Sequence, residues 1–148
     1  SDRLFWKKYS EYWLTGQDWD SAINFKVIRF ADVLLMYAEA LNELGRTAEA
    51  YAPINRVRAR VNLAPLAAGL SQQSMRDQLS HERVLELGLE QTRWHYLQRQ
   101  GLLQPASLPM LRAHDNEFSF FVDGKSGRLP IPQSEVDLNP NVIQNPGW

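Results

Sequence analysis

Residues 28–44 read IRFADVLLMYAEALNEL. The run holds neither Pro nor Gly and is rich in Ala, Leu, Met and Glu, side chains that lose little in a helix. Gly45 follows as a natural stop, because a residue in the left-handed region commonly closes a helix. At about 100° per residue, Arg29, Asp32, Glu39 and Glu43 share one narrow arc. Nearly everything else is apolar, so this helix is expected to be buried on most sides. Ala31, Ala38, Asn42 and Gly45 line one edge and let a neighbouring helix come close.

Working outward, Thr47 reads as the N-cap of a second helix over 48–61. Ala50, Ile54, Val57 and Val61 form its apolar stripe, with Arg56, Arg58 and Arg60 on the flanks. Pro53 lies a turn in and predicts a kink or a late start, and Asn62 and Pro65 end the helix. The two helices have the helix–turn–helix shape of one tetratricopeptide-like repeat of about 34 residues. After a small-residue loop, Ser71 is the expected cap of a long third helix over 72–100 that stops at Gly101.

Residues 102–148 change character, with six prolines and three glycines. They read as extended chain and turns, with one helical turn at Gln133–Asp137 and His114 in a loop. Leu129, Ile131, Val136, Leu138, Val142, Ile143 and Trp148 make this tail apolar enough to pack back on the helices. Residues 1–24 are an aromatic, loop-rich entry segment. The expected architecture is mainly α: a tetratricopeptide-like helix pair and a long third helix in a three-helix region over 25–101, closed by a proline-rich tail. All of 1–148 is expected to act as a single unit.

Composition narrows the function. With 148 residues, 16 Lys+Arg and 17 Asp+Glu, the net charge is −1. Nucleic-acid binding needs a basic excess, so no nucleic-acid partner is expected, and a polybasic membrane surface is excluded likewise. The chain has no Cys, which removes disulfides, thiol catalysis and Cys zinc sites. No run approaches the roughly 20 apolar residues of a membrane-spanning helix.

One constellation suggests chemistry. Glu82, Glu86 and Glu90 recur every four residues along the third helix, on an arc shared with Met75, Leu79, Arg93 and Leu97. Carboxylates on an apolar arc have raised pKa values when left unpaired, which suits acid–base work. Metal binding in a helical bundle needs Glu-x-x-His, and here Arg93 follows Glu90 and Leu89 follows Glu86. A zincin needs His-Glu-x-x-His, and Leu85 stands in the second His position after His81-Glu82. The favoured reading is a structural ion-pair network of Glu82, Arg83, Glu86, Glu90 and Arg93, with Glu86 facing Arg83, Glu90 facing Arg93, and arginines of the second helix across the gap. No catalytic residue, metal or cofactor is expected. Trp13 and Trp19 are the candidate ligand contacts, since flat aromatic faces stack on sugar CH groups and Gln17, Asp18 and Asp20 stand beside them. Phe118, Phe120 and Phe121 read as a strand or turn clamping the tail to the core.

Three stretches together resemble the C-terminal part of the SusD/RagB family of surface nutrient-binding lipoproteins from Bacteroidetes. They are Val27 to Ala40; His81-Glu82-Arg83 with Glu86-Leu87, Glu90 and Arg93-Trp94; and Leu129-Pro130-Ile131-Pro132-Gln133-Ser134-Glu135 with Asp137-Leu138-Asn139-Pro140-Asn141 and Gln144-Asn145-Pro146-Gly147-Trp148. The resemblance implies a non-catalytic protein on the extracellular face of the outer membrane. It also implies a lipid anchor absent from this chain, a TonB-dependent transporter (SusC-like) as partner, and an oligosaccharide or other nutrient as ligand. Much of the family's ligand platform lies upstream of the matched region. Two other classes stay open: a tetratricopeptide-like protein-interaction module, and a glycan hydrolase using the third-helix carboxylates.

Overall fold

A computed structural model describes residues 8–9, 23–114 and 116–148. The candidate contacts Trp13 and Trp19 lie outside the described residues. Helix follows helix: α1 (Phe30–Glu43), α2 (Thr47–Arg60), α3 (Gln72–Glu86), α4 (Arg93–Arg99), α5 (Leu108–His114), a 3-10 turn (Asn116–Phe120) and α6 (Gln133–Leu138). The mainly α expectation holds. Two compact units divide the chain, Ser1–Arg93 and Trp94–Trp148, and the division falls inside the stretch expected to be one helix.

In the first unit α1 packs on both α2 and α3. Ala31, Leu35, Ala38 and Leu41 of α1 meet Ala50, Ile54 and Val57 of α2 and Met75 and Leu79 of α3 in one buried cluster. The small side chains at Ala31 and Ala38 allow this close approach, as their spacing suggested, and Ala50 of the apolar stripe of α2 is small as well. Asn42 is fully buried yet satisfied: its side chain donates to Gln72 O at 3.0 Å, and Gln72 Nε2 returns a bond to Asn42 O at 2.7 Å. This reciprocal pair ties the end of α1 to the start of α3.

The end of α1 and the start of α3 follow their sequences, and the start of α2 does not. Gly45 (φ 74°) closes α1 with Arg46 N on Leu41 O and its own N–H on Asn42 O, the double bond pattern that satisfies the last carbonyls. Ser71 caps α3 through Ser74 N at 3.0 Å, as expected. Thr47, expected as the N-cap of α2, is instead that helix's first residue, because its hydroxyl donates to Asn42 Oδ1 at 2.7 Å rather than accepting from an amide. Pro53 is buried inside α2, which neither starts late nor stops there.

The long third helix is two helices. Leu89 (φ 63°) and Gln91 (φ 58°) adopt left-handed backbone between α3 and α4, so the ladder breaks after Glu86 and restarts at Arg93. Residues 25–101 thus hold four helices rather than three.

In the second unit Leu97, Leu103, Leu108, Leu111 and Phe121 form a separate apolar cluster. Phe118 and Phe120 lie in the 3-10 turn rather than in a strand, and Phe121 follows it. The helical turn expected near Gln133 is present as α6. The tail departs from expectation in its packing, since Leu129 (85%), Leu138 (81%) and Ile143 (85%) face solvent. It closes on itself instead: Gln144 exchanges two 2.8 Å bonds with the backbone of Ile131, and Asn145 Nδ2 donates to Leu129 O at 2.7 Å. Side-chain amides replace the ladder that proline denies the backbone.

Candidate functional site: a neutralised carboxylate row and an aromatic hollow

The acidic row of α3 is buried, as its apolar arc implied: Glu82, Glu86 and Glu90 are all nearly inaccessible. Each finds cations from other segments. Arg58 of α2 reaches Glu82 Oε1, which also accepts from Gln78 Nε2 at 2.8 Å. Glu86 takes Arg60 on Oε2 at 2.7 Å and Arg29 on Oε1 at 2.9 Å. Glu90 receives a two-pronged bond from Arg29, Nε to Oε2 and Nη2 to Oε1, both at 2.8 Å. Lys8 adds a third cationic bond to Glu90 Oε1 at 2.7 Å.

The same two cations finish the helix. The end of α3 leaves backbone carbonyls without amide partners. Arg29 Nη2 donates to Glu86 O at 2.9 Å, Lys8 Nζ also reaches Glu86 O, and Lys8 donates to Gly88 O at 3.1 Å. Positive charge at this terminus also complements the helix dipole. The break at residues 87–92 carries Glu90 off the helix and onto the Arg29 fork, so only Glu82 and Glu86 stand on α3 itself.

The expected arginines of α2 are in place, while the within-helix pairings are replaced. Arg83 reaches Asp32 of α1 at 2.8 Å, and Arg93 donates to Ser80 Oγ at 3.2 Å. Asp32 shares its arc with Glu39, so its burial beside Arg83 is legible only once α1 and α3 are known to touch. Lys8 and the reach of Arg29 to Glu86 and Glu90 went unread.

Electrostatics follow from the pairing. Burial alone would raise the Glu90 carboxyl, but its bonds to Arg29 and Lys8 outweigh that and hold it below the ordinary carboxylate range. Glu90 raises Arg29 in turn, keeping its guanidinium charged. A carboxylate so held is a poor proton donor near neutral pH. His81 and His95 are exposed, and among the described residues no group of three or more His, Asp or Glu is placed to hold a metal ion. No helix of the described residues is long and apolar enough to cross a membrane.

A different surface stands in the second unit. Trp94, Phe118, Phe120, Phe121 and Ser126 line an open hollow of about 350 Å³, within the roughly 300–1,000 Å³ typical of ligand clefts. Phe121 anchors it in the core and tilts against Trp94 at 6.0 Å and Phe118 at 6.4 Å. The Ser126 hydroxyl accepts from Val122 N at 2.9 Å. Trp94 and Phe120 present exposed rings. The sequence showed the aromatics, but Trp94 and Phe120 stand 26 positions apart and nothing in their spacing joins them.

The model of the SusD family matches residues 3–148. SusD-like protein P2 of Formosa agariphila is 33% identical over 139 residues, covering 87% of this chain and 27% of that protein. SusD-like protein P25 of the same organism is 35% identical over 127 residues, covering 80% and 23%. A solved SusD superfamily protein from Bacteroides vulgatus superposes with a TM-score of 0.72 at 33% identity, over 86% of this chain and 28% of that one. A SusD homolog from Bacteroides thetaiotaomicron gives 0.69 at 34% identity, over 82% and 26%. The chain therefore spans about a quarter of the length of these relatives. With a family match running almost from end to end and a shared helical architecture, this chain belongs to the SusD family.

Proposed function

We propose that the chain is the C-terminal part of a surface protein that captures oligosaccharides or other nutrients without transforming them. It is held outside the outer membrane by a lipid anchor and works with a SusC-like TonB-dependent transporter. The observation that carries this reading is the family match over residues 3–148. The buried acids support a non-catalytic role, since each described carboxylate of the row meets at least one cation within hydrogen-bonding reach. The row serves to hold α1, α2 and α3 together.

Trp94 and Phe120 of the hollow offer apolar faces on which a pyranose can stack, with Ser126 at hand for a hydroxyl. Trp13 and Trp19 remain stacking candidates of the entry segment. The test uses the longest form of the protein that the cell makes. Affinity electrophoresis and calorimetry against a panel of oligosaccharides should find a binder, and Trp94→Ala should weaken it about tenfold, the loss expected of one stacking contact. Purification from its own cells should bring a TonB-dependent transporter with it. Release of shortened sugars would instead support the hydrolase. Capture of a protein partner with no sugar bound would support the interaction module.

A further inference from the structure

The first unit holds a pocket of its own. Lys8, Tyr9, Ile23, Lys26, Arg29 and Glu90 line a space of about 230 Å³, and none of them lines the aromatic hollow. Three cations against one carboxylate give this lining a charge of +2, in a chain whose net charge is −1. A wider circle leaves the balance unchanged, because Glu86, which touches Arg29, is matched by Arg60. The Glu90 carboxylate is already covered: Oε1 accepts from Lys8 and Arg29, and Oε2 accepts from Arg29. Lys26 differs from the other two cations. It is exposed and has no acidic partner among the described residues, so its three N–H donors are available to a ligand. Tyr9 supplies an aromatic wall. Its ring stacks on Phe25 with centroids 5.6 Å apart, and its backbone sits at φ 53°. A bulky residue seldom adopts that left-handed conformation, and such strain gathers at ligand sites.

We infer that this pocket binds a sugar residue that carries an oxyanion, either a uronate carboxylate or a sulfate ester. The ring packs its CH face on Tyr9. The oxyanion pairs with Lys26, a charge-assisted contact, inside the positive field that the partly buried Lys8 and Arg29 maintain. Clefts that enclose a drug-sized ligand run to roughly 300–1,000 Å³. The smaller space here suits one charged ring of a longer chain. A neutral sugar would leave Lys26 unused and gain nothing from the local excess of charge. This inference rests on the capture reading above and names the class of sugar captured.

The test is calorimetry on the longest form of the protein with matched oligosaccharides: uronate chains beside their methyl esters, and sulfated chains beside their desulfated forms. At least one anionic chain should bind about tenfold more tightly than its neutral counterpart, and the uronate and sulfate arms tell which oxyanion it is. That advantage should shrink at about 0.5 M salt, where exposed charges are screened. Lys26→Gln should erase most of it and Lys26→Arg should keep it. Lys26 is exposed and unpaired, so both variants should melt with the parent. Neutral chains that bind as tightly as the anionic ones would overturn the inference and leave the capture reading standing. Undiminished binding of the anionic chain by Lys26→Gln would overturn it too, since the oxyanion would then sit elsewhere. Failure of every sugar to bind would remove the capture reading, and the inference with it.

Discussion

Arg29 serves two carboxylates and one helix terminus at once, and no other side chain of the site bridges as much. It grips Glu90 through Nε and Nη2, touches Glu86 Oε1, and donates to Glu86 O. Replacing it leaves Glu86 with Arg60 and Glu90 with Lys8, so Arg29→Ala should lower the unfolding free energy by about 1.5–3 kcal/mol, the range for lost hydrogen bonds to charged groups. The double change with Glu90→Ala should cost less than the two singles together, because the pair is coupled. Glu90 also sets a pH signature. Its carboxyl is held low in the folded chain, while an unfolded Glu titrates near about 4.3. The folded state therefore binds that proton less readily, and the stabilisation is complete above about pH 4.3 and is lost as pH falls through the lower folded value. Glu90→Gln should accordingly lower the unfolding free energy read from urea titration at pH 7, by about 1–3 kcal/mol. As the pH drops from 7 through the lowered range of the folded carboxyl, the gap between the two proteins should shrink. A difference that stays the same size throughout would show that Glu90 acts through shape and not charge. The sequence displayed these acids on an apolar arc, which made their burial legible. Their partners were not legible, because Arg29 lies 61 residues and Lys8 82 residues from Glu90, and local spacing says nothing at that range.

At the scale of elements, helix ends were readable where one residue type answers one geometric need. Gly45 and Gly101 sit in left-handed backbone at the ends of α1 and α4, and Ser71 caps α3. Ser71→Ala should cost about 1 kcal/mol in thermal unfolding. The break after α3 was unreadable for the opposite reason. Its left-handed residues are Leu89 and Gln91, both good helix formers, while the neighbouring Gly88 takes no such conformation. Tertiary contacts override propensity here: the turn delivers Glu90 to Arg29 and Lys8. The two readings make opposite predictions for Gln91→Gly. In a continuous helix glycine would cost about 1 kcal/mol. In the observed turn it relieves left-handed strain at an exposed position and should stabilise by about 0.5–1 kcal/mol. A lowered melting temperature would restore the unbroken helix.

Across the whole molecule, surface chemistry and charge act together. The net charge is −1 and the isoelectric point about 6.3, so long-range repulsion between copies is weak near neutral pH. The 148-residue chain meanwhile exposes an apolar row on α1 (Phe30, Val33, Met36 and Tyr37) and the tail's Leu129, Leu138 and Ile143. Short-range apolar attraction with little charge to oppose it favours association. The isolated chain should therefore scatter more light per molecule as its concentration rises. Val33→Glu with Met36→Glu attacks both causes, since it interrupts the row and takes the net charge from −1 to −3. Both positions are 42% exposed and lie mid-helix, where glutamate is well tolerated, so isolated-chain stability should move by no more than about 0.5 kcal/mol. The double variant should sediment as a monomer at concentrations where the parent does not. If the parent stays monomeric throughout, neither the row nor the exposed tail is adhesive. If the variant still associates while remaining folded, the adhesive surface lies elsewhere, and the exposed tail is the next to substitute, beginning with Leu138→Glu and Ile143→Glu.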